Sequence, residues 1–183
     1  MVPKMMFLTK GVGVDKNRLA SFELALRNAG IERFNLVQVS SILPPLCKIV
    51  SKREGLPHLK AGEIVYCVMA RNETNEPNRL ISASIGIALP KNRDQYGYLS
   101  EHHAFGQTAG VAGDFAEDLA ATMLASTLGI PFDPDQAWDA RKEVYHASGT
   151  FFRTSHCCQS AEGNKKGLWT TVVASSVFVG DKE

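Results

Sequence analysis

Two adjacent serines, Ser40 and Ser41, lie where a predicted strand ends, just before the prolines Pro44 and Pro45. The hydroxyl of Ser41 could attack the carbonyl carbon of Ser40 through a five-membered ring, which would convert the peptide bond between them into an ester. Taken by itself, the same serine pair is also typical of an ordinary turn at the end of a strand. The choice between self-cleavage and a simple turn therefore depends on the rest of the chain.

Three other side chains could take part in such chemistry. Asn35 precedes Ser41 in the same segment and could donate a hydrogen bond to an oxyanion formed during cleavage. Glu101 lies in a predicted strand, and Glu23 lies on the edge of a predicted helix; both are carboxylates that could take part in acid–base chemistry or in binding a cation. Taken alone, Glu101 is typical of an exposed carboxylate, and Glu23 of a partner for Arg27 one helical turn later.

Two further patterns bear on other kinds of site. Glu101, His102 and His103 are consecutive, but neighbouring strand residues point to opposite faces and cannot easily share one ion, so we predict no metal site. The stretch from Gly11 to Gly13 before a helix is similar to a phosphate-binding loop. Lys16 stands where the dinucleotide-binding pattern has its third glycine, and we therefore predict a tight turn there.

The elements that would position these residues mix strands and helices without a regular βαβ alternation. Hydrophobic periodicity predicts strands over 5–9, 34–39, 63–71, 80–89, 96–102, 151–157 and 168–179, and helices over 19–30, 114–128 and 133–144. Asp15 is expected to cap the first helix, and Gly30 to end it. This order predicts an α+β fold of stacked sheets flanked by helices, in a single domain over residues 1–183.

Two element faces carry specific expectations. In the strand over 80–89, large apolar residues alternate with serine, glycine and alanine, so another layer should approach the face that carries the small residues. Leu19, Phe22 and Leu26 share one side of the first helix, and Phe115 and Leu119 share one side of the helix over 114–128.

The segment from Asn35 to Pro45 resembles the corresponding segment of the pyruvoyl-dependent arginine decarboxylases found in archaea and some bacteria. It contains an asparagine, apolar residues, a Ser-Ser pair, isoleucine and then Pro-Pro. The resemblance continues, in the same order, through Leu19–Gly30, Ile81–Pro90 and Gly97–Glu101. It covers nearly the whole chain, and four matching pieces are far more specific than any one of them.

This resemblance implies a layered αββα sandwich that cuts itself between Ser40 and Ser41, leaving a short chain over residues 1–40 and a long one over 41–183. Ser41 would lose ammonia and become a covalently bound pyruvoyl group, so no external cofactor would be needed. The pyruvoyl ketone would form a Schiff base with L-arginine and accept the electrons released with CO2, and the product would be agmatine.

The resemblance also implies roles for individual residues. Asn35 matches an asparagine that is tied to processing, and Glu101 matches the acid that returns a proton to the substrate. Glu23 stands where the family has an acidic residue for the guanidinium, which in some relatives is aspartate. A homotrimer of cleaved αβ pairs is implied, with the active site at a subunit interface. Two alternatives stay open: the same mechanism on another amino acid such as histidine, and an unprocessed, non-catalytic binding protein on this scaffold.

Composition narrows the classes of partner. The chain has 183 residues, 44% of them hydrophobic, and its 20 basic and 19 acidic residues give a net charge of +1. Such a balance favours neither nucleic acid nor an anionic membrane as a partner. The apolar run from Met5 to Leu8 is too short for a signal peptide, so a cytoplasmic protein is expected. We predict reduced thiols at all four cysteines, Cys47, Cys67, Cys157 and Cys158.

Overall fold

The described part of the chain folds into two β-sheets, three α-helices and one short 3-10 helix. The structure is a computed structural model that describes residues 2–130, 133 and 152–180. The strands are β1 (Met5–Asp15), β2 (Asn35–Gln38), β3 (Ile42–Leu43), β4 (Lys48–Val50), β5 (Ile64–Thr74), β6 (Leu80–Pro90), β7 (Gly97–Phe105), β8 (Phe152–Glu162) and β9 (Trp169–Val179). The helices are α1 (Arg18–Ala29), α2 (Lys52–Gly55) and α3 (Ala109–Thr127), and a short 3-10 helix spans Leu56–His58.

The two sheets pack face to face. The first has the strand order β2-β5-β9-β1-β4, and the second has the order β3-β7-β6-β8. The longest ladder of the first sheet joins β1 and β9 antiparallel, from Met5 opposite Val179 to Asp15 opposite Trp169. Helix α1 packs on β1 and β9 of the first sheet, and α3 packs on β6, β7 and β8 of the second. The predicted mixed α+β architecture in a single domain is therefore confirmed.

Three hydrophobic clusters hold these layers together. The cluster between the sheets includes the buried side chains of Ile85, Leu99 and Val172. A second cluster joins the first sheet to α1, and a third joins the second sheet to α3. Because each layer buries apolar side chains against the next, the core consists of three apolar clusters stacked between the layers.

The glycines near the N-terminus lie inside a strand, so the predicted tight turn from Gly11 to Gly13 is wrong. Strand β1 runs through both residues and ends only at Asp15. A Cβ atom on Gly11 would collide with the backbone oxygen of Ala25, and one on Gly13 with that of Ser21. These two glycines therefore lack side chains because α1 packs directly onto the backbone of β1.

Helix α3 approaches β6 in the same way, which confirms the expected close contact on the face that carries small residues. A Cβ atom on Gly86 would collide with the backbone oxygen of Ala116 on α3. Ala88, on the same face of β6, belongs to the buried cluster beneath this helix. The alternation of large and small residues in β6 thus separates its sheet-facing side from its helix-facing side.

The N-terminal cap of α1 differs from the prediction. Asn17, and not Asp15, caps α1, because its side-chain oxygen accepts hydrogen bonds from the backbone N–H groups of Leu19 and Ala20. The carboxylate of Asp15 accepts a hydrogen bond from the backbone N–H of Asn17 at 2.8 Å, which helps to shape the turn. Gly30 ends α1 in the left-handed conformation, with φ of 76°, as predicted.

Both long helices bury their small residues and expose large ones. In α1 the buried residues are Ser21, Ala25 and Ala29, whereas Leu19 is 71% exposed. In α3, which begins at Ala109 after the cap Thr108, the buried face consists of alanines, Gly113 and Leu124, and Phe115 is 50% exposed. Close packing on glycines in the sheets leaves room only for small side chains at the contact.

Some predictions fall at the margins of the described chain. Nearly all of the helix predicted over 133–144 lies outside the described residues. Strand β8 extends to Glu162, five residues beyond the predicted end at Cys157.

All four cysteines are free thiols, as predicted. No helix among the described residues is long and apolar enough to span a membrane.

Candidate active site

The Ser40–Ser41 pair lies where the chain passes from one sheet to the other. Just before the pair, the backbone N–H of Val39 donates a hydrogen bond to Cys67 of β5, in the first sheet, at 2.9 Å. On the other side, the backbone oxygen of Ser41 accepts a hydrogen bond from Leu99 of β7, in the second sheet, at 2.7 Å. The peptide bond between the serines therefore bridges the two layers and is anchored on both sides.

Strand register places Ser41 and Glu101 on the same face. Ile42 lies opposite Tyr98, so that Ser41 lies opposite Leu99, whose side chain is buried in the core between the sheets. Glu101 is two residues further along β7 and therefore points to the same side. Such diagonal neighbours lie roughly 7–8 Å apart across a ladder. The register thus places two of the predicted site residues on one face, two strand positions apart.

The environment of Glu101 suits a group that must hold a proton. Although the residue is exposed overall, partial burial of its carboxyl raises the pKa of Glu101 above the usual value, and the charge of His103 opposes this shift. The charge of Glu101 also acts on Cys67 of β5. Burial raises the pKa of Cys67 to about 11, and the charge of Glu101 adds to this increase. A raised carboxyl pKa is the property required of a general acid near neutral pH.

A cavity of about 300 Å³ opens beside the serine pair. It is bordered by Pro3, Val39, Ser40, Ile42, Pro44, Tyr66 and Phe178. Most of these side chains are apolar, and Tyr66, which is 43% exposed, adds a hydroxyl group. No carboxylate is among the described residues that line it. The cavity can therefore cover an aliphatic chain, but its own lining contains no anion for a guanidinium.

Asn35 lies at the other end of β2 from the serines. Its side-chain amide donates a hydrogen bond to the backbone oxygen of Gly62 at 2.7 Å. The ladder with β5 places Asn35 opposite Ile64, three positions before Gln38, which corresponds to roughly 10 Å of extended chain. Within one chain, then, the structure does not bring the Asn35 side chain to Ser41.

Glu23 also lies away from the serine pair. It is on α1, which packs against β1 and β9, and it forms an ion pair with Arg27 one turn later, at 2.7 Å. Its side chain is 45% exposed. The structure thus shows the local pairing that the sequence leaves open as an alternative, and a role with substrate requires another chain to approach this helix.

The two histidines that follow Glu101 point in opposite directions. His102 faces α3, where its ring lies 4.3 Å from that of Phe115 and its Nε2 atom lies 2.9 Å from the side-chain oxygen of Gln107. His103 shares the face of Glu101, because it is two residues further along β7. Neighbouring residues of this run alternate between the two faces of the strand, as predicted, so that His102 is separated from Glu101 and His103.

A different group of potential ligands lies between α3 and β8. Ligand atoms of Asp114, Glu117 and His156 lie within 4.8 Å of one another. His156 already forms an ion pair with Glu117, with 2.8 Å between Nδ1 and Oε2. This pairing accounts for the contact between His156 and Glu117. His156 lies opposite Gly86, so the group is on the opposite face of the second sheet from Glu101.

Sequence reasoning did not identify two residues that the fold adds to this region. Tyr66 lines the cavity, and His103 lies beside Glu101. The signal for His103 was available in the sequence, because a residue two positions from Glu101 in a strand must share its face. Tyr66 could not be found this way, since its approach depends on how the two sheets pack.

Comparisons with known proteins match nearly the whole chain to one family. A family model described as "Pyruvoyl-dependent arginine decarboxylase (PvlArgDC)" matches residues 5–183. The chain is 63% identical over 182 residues to "Pyruvoyl-dependent arginine decarboxylase 2" of Methanosarcina acetivorans, covering 100% of both chains.

Other relatives carry the same description. The pyruvoyl-dependent arginine decarboxylase of Methanococcoides burtonii is 63% identical over 179 residues, which cover 98% of this chain and 99% of the relative. The protein of the same name from Nitrosopumilus maritimus is 52% identical over 179 residues, with 98% of each chain covered. The similarity thus extends across both sheets and the segment around Ser41.

Proposed function

Because this chain belongs to the pyruvoyl-dependent arginine decarboxylase family, we propose that it is a decarboxylase that converts L-arginine to agmatine and CO2 with a pyruvoyl group built from Ser41. The observation that carries the proposal is the strand register that places Ser41 and Glu101 on one face of the second sheet. A cavity bordered by Ser40 supports it, because it offers space for a substrate next to the residue that precedes Ser41.

The surroundings of Ser41 fit a pyruvoyl group. The hydrogen bond that holds this residue runs from the N–H of Leu99 to its backbone oxygen. Formation of the group would remove the amine and the hydroxyl of Ser41 but leave that backbone oxygen in place. The bond that anchors residue 41 is therefore compatible with both the serine and the pyruvoyl form.

We propose that cleavage begins at the hydroxyl of Ser41. Its oxygen attacks the carbonyl carbon of Ser40, and the peptide nitrogen leaves as the amine of Ser41, so that an ester replaces the amide. Elimination of the ester then releases residues 1–40 with a free carboxylate, and hydrolysis of the resulting dehydroalanine releases ammonia. The proposed products are chains over residues 1–40 and 41–183.

In the decarboxylation, the pyruvoyl group supplies a carbonyl that withdraws the electrons released with CO2. The apolar residues around the cavity cover the aliphatic part of arginine and exclude water. Glu101, whose pKa is raised by partial burial, is the residue that donates a proton to the carbon that lost the carboxylate.

Asn35 and Glu23 are assigned to the assembled enzyme. We propose a homotrimer of cleaved pairs, in which Glu23 of one chain serves the guanidinium site of another and Asn35 assists processing. Exposed apolar side chains along β2, β3 and β5 support an interface: Ile64 is 62% exposed, and Val37, Ile42 and Tyr66 are exposed as well. The lack of a carboxylate among the described cavity residues also supports an anion from a second chain.

The first test is intact-mass spectrometry of the denatured protein, combined with assays on arginine and on a panel of other amino acids. Wild-type protein should give two chains, split after Ser40. The mass of the larger chain should be lower, by one ammonia, than that of the same chain with serine at position 41. The protein should also release CO2 from arginine. Ser41→Ala should give one uncut, inactive chain, whereas Ser40→Ala keeps the attacked carbonyl and should still be cut. An uncut wild-type chain, or an active Ser41→Ala protein, would overturn the mechanism. Activity on histidine and not on arginine would overturn the assignment of arginine as the substrate.

A further inference from the structure

The turn that follows the serine pair contains a leucine in a backbone conformation that most side chains avoid. Leu46 has a φ of 58°, in the left-handed region, and its side chain is 61% exposed. The other non-glycine residue with positive φ among the described residues is Asn78, a residue type that tolerates this region much better. Because a largely exposed leucine gains little from packing, other contacts must hold this conformation.

Arg93, in the loop between β6 and β7, holds this turn with both its backbone and its side chain. Its backbone oxygen accepts a hydrogen bond from the N–H of Leu46 at 2.9 Å. Its guanidinium Nη2 atom donates a hydrogen bond to the backbone oxygen of Cys47 at 2.6 Å. The turn is closed by the N–H of Cys47, which donates to the backbone oxygen of Pro44 at 3.2 Å. One residue thus fixes two consecutive residues of the turn.

The guanidinium is suited to this task. Arginine stays positively charged in proteins, and a hydrogen bond from a charged donor is stronger than one between neutral groups. Cys47 is fully buried and belongs to the apolar cluster between the sheets. Arg93 therefore fastens the turn at a residue that the core already holds in place.

The position of Ser41 depends on this turn because the strand between them is very short. β3 consists of Ile42 and Leu43, whereas an ordinary strand has about five or six residues. The turn begins directly after Leu43, so a shift of the turn is passed on to Ser41. Attack of a hydroxyl on a neighbouring carbonyl needs a defined geometry, and a misplacement of about 1 Å can lower a rate roughly 10²-fold.

We propose that Arg93 is a positioning residue for self-cleavage, which keeps Ser41 aligned with the carbonyl of Ser40 by holding the strained turn at Leu46. This inference rests on the proposed cleavage at Ser41. It assigns to Arg93 no contact with the reacting atoms, since its bonds go to Leu46 and Cys47. After the cut, the same bonds remain on the chain that begins at residue 41.

The rate of cleavage after cell-free synthesis, followed by intact-mass spectrometry, tests this role. Arg93→Gln should slow cleavage about tenfold, the factor that corresponds to one hydrogen bond from a charged donor. Leu46→Gly, added to the Arg93→Gln protein, should restore the rate by about fivefold, because glycine adopts a positive φ without the cost that leucine bears. A double variant as slow as Arg93→Gln would contradict the proposal.

The matched control is Arg79→Gln, which changes the same residue type at the other end of β6. The guanidinium of Arg79 lies 5.0 Å from the ring centre of Phe105, so this variant should be cut at the wild-type rate. Circular dichroism at the assay temperature gives the folded fraction of each variant. Equal slowing in Arg79→Gln, or slowing of Arg93→Gln that follows its folded fraction alone, would show a merely structural role.

Failure of the proposed function can be distinguished from failure of this inference. A wild-type chain that is never cut would overturn both, whereas a wild-type chain that is cut no faster than Arg93→Gln would overturn the inference alone. Hydrogen exchange in the uncut Ser41→Ala protein measures the hold on the turn without any cleavage. Arg93→Gln should speed exchange over residues 41–47 and Arg79→Gln should not, and unchanged exchange in Arg93→Gln would reject the hold.

Discussion

Glu101 differs from an ordinary surface glutamate in what its carboxyl group faces. It points toward the space between the sheets, beside the anchored segment that contains Ser41, and partial burial raises its pKa. His102, its immediate neighbour in sequence, instead packs against α3. At this scale, one position along a strand separates a candidate catalytic group from a structural one.

We therefore expect Glu101→Gln to separate chain cleavage from decarboxylation. The variant should still be cut, because the proposed cleavage uses the hydroxyl of Ser41. Its kcat should fall by about 10²- to 10⁴-fold, the usual contribution of a general acid. Steady-state kinetics and intact mass measure the two properties separately. Glu162→Gln, on β8 and outside the site, serves as the control, and near-normal turnover in Glu101→Gln would remove Glu101 from the mechanism.

Substitution of Glu23 tests whether a second chain supplies the guanidinium partner. Glu23→Gln keeps the size of the side chain but removes its charge, so KM for arginine should rise by at least about tenfold, equivalent to the loss of a charge-assisted hydrogen bond. Glu32→Gln changes another acid of the same region and should leave KM as it was. Equal effects of the two substitutions would show that Glu23 has no specific role.

At the scale of elements, the contact between α3 and β6 depends on one missing side chain. Gly86→Ala should displace α3, because the added Cβ would collide with the backbone oxygen of Ala116. We expect the free energy of unfolding to fall by at least ~2 kcal/mol, as is common for overpacked sites. Gly110→Ala, in the first turn of α3 with open space around it, should cost little. Denaturant titration of both proteins measures the difference, and equal stabilities would contradict the packing described here.

The same contacts explain which elements could be predicted from the sequence. The alternation in β6 and the stop of α1 at Gly30 are local patterns, and both predictions were confirmed. The turn expected at Gly11 to Gly13 was wrong because glycine has two uses, to allow unusual backbone angles and to allow close approach. Only the position of α1 shows that the second applies, and that position depends on long-range packing.

The candidate site was predictable to the same extent. Ser41 and Glu101 were identified from motif and resemblance, and the fold places them on one face. The positions of Asn35 and Glu23 relative to Ser41 depend on how the sheets, helices and further copies of the chain assemble. Since one sequence carries no direct record of such distances, these residues stay predictions that the kinetic and mass measurements will decide.

For the whole molecule, the important feature is that β1 lies inside a sheet. It is flanked by β9 and β4, and its ladder with β9 runs the full 11 residues of the strand. Residues 1–40 also contribute α1, which fills one face of that sheet. A cut after Ser40 would therefore leave the short chain bound by backbone hydrogen bonds and by apolar contacts.

We expect the two chains of the cut protein to stay together under native conditions. Native mass spectrometry and size-exclusion chromatography should detect them at 1:1 stoichiometry, and they should separate only in denaturant. Ser41→Ala provides the uncut reference with the same fold. Loss of the short chain during native chromatography would show that β1 is held less firmly than the ladder implies.

The interior position of β1 also sets an order of events in the life of the molecule. A chain severed early in synthesis would have to insert a free 40-residue peptide into the middle of a formed sheet, whereas an intact chain completes the sheet as it folds. If cleavage needs the anchored geometry around Ser41, it happens only after β1 is in place. The reactive ketone would then form only in correctly folded molecules, and misfolded copies would carry no ketone.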